Sequence, residues 1–165
     1  MNPAPAPDWK GTIRVITLLL ARSLLGLLFL YMGLSKALHP VEFLKLLRQY
    51  DMIESHLLLN LLAATLPWFE AFCGLLLVAG VAVRGTALML VLMLVSFTAM
   101  VAKQALAIHA AGGGPFCAIK FDCGCGTGEV FVCRKLAENI LLTVLAAALV
   151  RKRARTVLGR GRVMP

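Results

Sequence analysis

Four of the five cysteines, Cys117, Cys123, Cys125 and Cys133, stand close together in the stretch Cys-Ala-Ile-Lys-Phe-Asp-Cys-Gly-Cys-Gly-Thr-Gly-Glu-Val-Phe-Val-Cys. Thiols at this density do one of three things. They can close two disulfides, for instance Cys117 to one member of the central pair and Cys133 to the other. Four cysteines allow three connectivities, and spacing alone selects none of them. They can exchange electrons. A Cys123–Cys125 disulfide closes a small ring of poor geometry and is therefore easily reduced, and Lys120, Arg134 and Lys135 nearby favour the attacking thiolate. Cys117 and Cys133 then form the second pair. Or they can hold zinc or an iron–sulfur cluster, but those templates want a Cys-x-x-Cys and this stretch has none. No metal is expected. Gly112, Gly113, Gly114, Gly124, Gly126 and Gly128 let the backbone turn tightly around the cysteines.

What positions this segment is strongly apolar. Of the 165 residues 60% are hydrophobic and only 15% charged, and the mean hydropathy is +0.86, which excludes an ordinary soluble domain. A spanning helix needs about 20 apolar residues. Runs of that kind cover 13–38, 56–81, 86–110 and, more briefly, 136–150. The sequence predicts an all-α fold, an integral membrane four-helix bundle, with a disordered tail at 1–12, the membrane domain at 13–150, a cysteine loop at 111–135 and a basic tail at 151–165. Between the first two spans, Phe43, Leu44 and Leu47 oppose Glu42, Lys45 and Gln49, the pattern of a short amphipathic helix on the membrane surface.

The net charge of +9 does not describe a nucleic-acid face. Arg151, Lys152, Arg153, Arg155, Arg160 and Arg162 follow the last apolar run, so the positive-inside rule puts that tail in the cytoplasm, near anionic lipid. An even number of spans puts the N-terminus there too. The cysteine loop is then periplasmic in a bacterial inner membrane, where disulfides persist.

Within the spans, Arg22, Gly26, Phe29, Gly33 and Lys36 fall on one face of the first helix by steps of three and four. Counting along the helices from the expected span ends puts Arg22 about 13 Å into the bilayer and Glu70 about 9 Å from the same edge. Arg22 and Glu70 are accordingly expected to form an intramembrane pair, either a proton relay or ligand site or a clasp that sets helix register. Pro67 kinks the second helix one turn before Glu70. Met89, Met93 and Met100 share a face of the third span and are read as packing. Lys36, Lys103, Glu138 and Asn139 lie at one level beneath the cysteine loop.

Several strings together resemble one family. They are Ala21-Arg22-Ser23-Leu24-Leu25-Gly26-Leu27-Leu28-Phe29-Leu30-Tyr31-Met32-Gly33-Leu34-Ser35-Lys36 followed by His39-Pro40, Leu66-Pro67-Trp68-Phe69-Glu70, Cys123-Gly-Cys125, and Glu138-Asn139. Over about residues 14 to 150, and in this order, the chain is similar to the MauE branch of the DoxX-like membrane proteins. Gly126-Thr127-Gly128 stands where that pattern has an aromatic after Cys-Gly-Cys. The resemblance implies a redox-associated protein that helps mature a disulfide-containing extracytoplasmic client, of the methylamine dehydrogenase type, beside a thioredoxin-like partner. On that basis Cys123, Cys125, Cys117 and Cys133 are expected to relay thiol–disulfide exchange, and Lys36, Lys103, Glu138 and Asn139 are candidates to face a quinone. Two alternatives stay open: a non-enzymatic assembly factor with structural disulfides, and a DoxX-like subunit of a quinone-linked oxidoreductase.

Overall fold

The computed structural model describes residues 9–50, 55–122 and 129–151. Four long helices make up most of the molecule: α1 (Trp9–Leu38), α3 (His56–Ala79), α4 (Val83–Ala110) and α5 (Val132–Arg151), with a short α2 (Pro40–Gln49) after α1. Pro40 disfavours a helical conformation at His39, so the chain breaks there, and the same proline starts α2 at its first turn. Ser55 caps α3 by accepting the Leu58 N–H at 3.4 Å. Gly80, at φ 76°, ends it. The Gly80 and Val81 N–H groups return to the carbonyls of Leu77 and Leu76, a Schellman closure that a left-handed glycine permits.

The helices associate as two antiparallel pairs. In the first, α1 and α3 meet through glycines. A Cβ at Gly26 would lie under 3.0 Å from the Gly74 carbonyl and Val78, and one at Gly33 would strike Pro67 and Ala71 backbone. Small residues allow this approach, which gives dispersion contact where lipid offers no hydrophobic gain. The expected stripe on α1 is the face that goes in, with Gly26, Phe29, Gly33 and Lys36 buried and Arg22 half-buried. In the second pair, α4 and α5 share Ala87, Leu90, Leu94, Ala146 and Leu149, and these join Leu25, Phe29, Cys73 and Leu77 of the first pair in one core.

Three helices are long and apolar enough to cross a membrane, over Val15–Leu38, His56–Ala79 and Val83–Ala110. The outward faces fit that reading, since Leu20, Leu24, Leu27, Tyr31, Leu61, Trp68, Phe72, Leu92 and Val95 are all exposed and need an apolar solvent. Among the described residues these three of the four expected spans meet that length and composition. α5 carries Arg134, Lys135, Glu138 and Arg151 within its 20 residues.

Two expected elements differ in kind. The amphipathic α2 is present, but Phe43 and Leu47 are buried against Leu59 and Ala63 of α3, so one side docks onto the bundle. The cysteine segment is also more regular than an unstructured loop. After a turn with Gly112 and Gly114 at positive φ, a single 3₁₀ turn spans Phe116–Ala118. The strands β1 (Lys120–Asp122) and β2 (Glu129–Phe131) then pair antiparallel, Lys120 opposite Phe131 and Asp122 opposite Glu129. α5 follows β2 without a break, and its Val132 N–H donates to the Ile119 carbonyl at 3.1 Å. Ile119 and Val132 are buried with Val101 and Ala105, against Phe116, Ile108 and Met32, which fixes the base of the hairpin to the bundle end.

Candidate functional site

The glycine contacts set the register of α1 against α3 and thereby decide which charges meet. Gly26 faces Gly74 and Val78, Gly33 faces Pro67 and Ala71, and the Arg22 guanidinium lies over Gly80. Along α3, Gly80 is ten residues from Glu70, about 15 Å at 1.5 Å per residue. Arg22 and Glu70 are therefore not partners. Depth measured along each helix from its own expected end, near Ile13 for the first and His56 for the second, carries no information on the axial offset between the helices. α1 in fact begins at Trp9, and the glycine mesh sets that offset. Arg22 instead meets the C-terminus of α3, where carbonyl dipoles favour a cation, and its buried Nε has no hydrogen-bond acceptor among the described residues.

Glu70 pairs with Lys36. The Nζ donates to Oε2 at 2.7 Å, with the side chains 3% and 4% exposed. A helical side chain leans toward its helix N-terminus, so Lys36, near the C-terminal end of α1, reaches inward along the bundle to Glu70. The ammonium also lies 5.0 Å from the Phe97 ring centroid and 5.6 Å from that of Phe43, distances at which an aromatic face attracts a cation. A carboxylate and two aromatic faces together compensate one buried charge. Both ionisable residues were visible in the sequence, but their pairing was not. The available signal was that Lys36 shares a face with Gly33, one turn away, and so must face whatever Gly33 faces.

Beside this pair is a cavity of about 20 Å³, lined by Phe29, Met32, Lys36, Glu70, Met93, Leu94, Phe97 and Asn139. It lies in the seam between the helix pairs, with Lys36 and Glu70 on one side and Met93, Phe97 and Asn139 on the other. Of the four residues expected at one level, Lys36 and Asn139 come together here. Lys103 is exposed and lines no part of the cavity. Glu138 is also outside it, bonded to Arg134 at 3.1 Å and near Lys135 at 3.7 Å. The volume has room for one water, whose minimum is about 10–15 Å³ on this measure, and none for a quinone ring.

At the loop end, Cys117 and Cys133 are joined in a disulfide with Cα atoms 5.0 Å apart. It ties the 3₁₀ turn to the first turn of α5. Cys117 is exposed and Cys133 half-buried, so solvent reaches the bond from one side. This pairing is the one the exchange reading uses. Cys123 and Cys125 lie outside the described residues. Lys120 turns back over its cross-strand neighbour Phe131, 4.9 Å from the ring. Cys73 is free and buried in the main core with Leu77 and Leu25, a packing position.

The family described as methylamine utilisation protein MauE has a sequence model that matches residues 14–152, nearly the whole chain from α1 through α5. No curated protein and no solved structure matches the chain.

Proposed function

The chain belongs to the MauE family, and on that premise we propose that it is a membrane thiol–disulfide relay that supports oxidation of an extracytoplasmic, disulfide-containing client alongside a thioredoxin-like partner. The observation that carries this reading is the Cys117–Cys133 disulfide. It is closed, solvent-accessible at Cys117, and placed at the base of a hairpin whose two strands lead directly to the segment holding Cys123 and Cys125.

In the proposed sequence a client thiolate attacks one sulfur of a Cys123–Cys125 disulfide and forms a mixed disulfide. The client's second thiolate then breaks that bond, so the client gains its disulfide, and Cys123 and Cys125 take up two electrons and end as thiols. Exchange with Cys117–Cys133 reoxidises the central pair and reduces the outer one. The disulfide of the thioredoxin-like partner accepts the two electrons last. No quinone is needed in this scheme. In the same proposal α5 is the fourth span, both termini are cytoplasmic and the hairpin is periplasmic.

Thiol trapping in membranes, with and without a mild dithiol, tests the relay. Both pairs should interconvert, and Cys125→Ser should abolish client oxidation while the protein level holds. A four-cysteine oxidised state that no mild dithiol reduces would sink the proposal. The second reading, an assembly factor with structural disulfides, is favoured by the apolar cluster at Ile119 and Val132 that the same disulfide fastens. It predicts that client maturation survives Cys125→Ser.

A further inference from the structure

The seam cavity contains more hydrogen-bonding capacity than its own side chains satisfy. Lys36 has three N–H donors, of which one goes to Glu70 Oε2, and among the described residues no second acceptor for Nζ and no donor to Glu70 Oε1 is present. The Asn139 side chain is 4% exposed, lines the cavity, and makes no hydrogen bond to the described residues, although its backbone carbonyl accepts from Thr143 at 2.7 Å. Buried polar groups of this kind are almost always paired. A genuinely dry cavity is lined by apolar atoms alone, and this one is not.

We infer that the seam holds one ordered water, bonded to the Lys36–Glu70 pair on one side and to the Asn139 amide on the other. The cavity of about 20 Å³ accommodates one water, and the site offers the two to four polar partners such a water uses. The water then makes a polar connection between the two helix pairs at this level. α1 and α3 contribute the charges, α5 contributes the amide, and the rest of the wall is Phe29, Met32, Met93, Leu94 and Phe97. The site stands independently of the relay, since none of its residues is a cysteine.

Hydroxyl-radical footprinting of the full chain in lipid nanodiscs, in water enriched in oxygen-18, tests this directly. Radicals form from water in place, so Met93 and Met32 beside the cavity should be oxidised severalfold faster than Met89, which faces outward on the same helix as Met93 and is 43% exposed to lipid. Oxidation of Met93 and Met32 no faster than that of Met89 overturns the proposal. Asn139→Leu gives a second arm. If water fills the site, leucine displaces it, strips the ion pair of a partner and lowers Tm. A rise in Tm on Asn139→Leu, the result of filling a dry hole, overturns the proposal as well. Should that variant fail to accumulate, the wild-type footprint alone decides.

Discussion

Lys36→Met isolates the contribution of the buried pair. The mutation leaves Glu70 3% exposed, with its only ionic partner in the described structure removed. At 2.7 Å the attraction between unit charges is about 6 kcal/mol at an effective dielectric of about 20. Desolvation of the two groups offsets much of this, yet removing a single partner still costs about 3–5 kcal/mol because an uncompensated charge is left behind. The phenyl faces of Phe43 and Phe97 lose their cation in the same step, which adds to the loss. The double variant Lys36→Met with Glu70→Leu should recover most of the stability, since apolar side chains replace both charges. Equilibrium unfolding in mixed micelles of rising SDS content measures all three species. The reasoning is refuted if Lys36→Met stays within about 1 kcal/mol of wild type, or if the double variant is no better than the single. Arg22→Met with Glu70→Leu is the control, and these two changes should add to within about 0.3–0.5 kcal/mol as independent sites do.

Gly33→Ala should destabilise by about 1–3 kcal/mol, because its Cβ meets backbone of Pro67 and Ala71 rather than a flexible side chain. Gly85→Ala, with nothing within 4 Å, should instead be neutral or stabilising by up to about 1 kcal/mol through helix propensity; the same unfolding assay compares them. Gly80→Ala forces a left-handed alanine, for about 1–2 kcal/mol, and also crowds the Arg22 guanidinium, so its loss should shrink in an Arg22→Ala background. Cys117→Ser removes a bond closing a loop of sequence separation 16, a constraint of about 3 kcal/mol in the chain-entropy model. Limited proteolysis should then cut within 112–131 while α1 and α3 stay intact; unchanged protease resistance would show that the apolar cluster alone holds the hairpin.

The helices were legible because long apolar runs broken by His39-Pro40 and by Gly80 leave little alternative, and the face of α1 was legible because Gly26, Phe29, Gly33 and Lys36 repeat at the helical period. The identity of Glu70's partner was not. Ion-pair choice depends on the axial offset between two helices, and that offset is fixed by glycine-to-backbone contacts such as Gly33 on Ala71, which no span count contains. The hairpin was hidden for a different reason. Strands of three residues, Lys120–Asp122 and Glu129–Phe131, are too short to show alternation among glycines, and their pairing is supported by Ile119 and Val132 burying against α4. The outer disulfide was one of several combinations open to four cysteines. It becomes definite once β1 and β2 bring Cys117 and Cys133 side by side at the hairpin's base.

Lys36 and Glu70 both belong to α1 and α3, the helix pair that leaves the ribosome first. Their charges can neutralise each other before α4 or α5 has been synthesised, so neither Lys36 nor Glu70 faces lipid as an unpaired ion while the early hairpin waits for the rest of the chain. The cysteines come later in the sequence, and Cys133 opens the last helix. The order of synthesis therefore separates two assembly events: an intramembrane neutralisation early, and at the end an oxidation that fastens the start of α5 to the 3₁₀ turn before it.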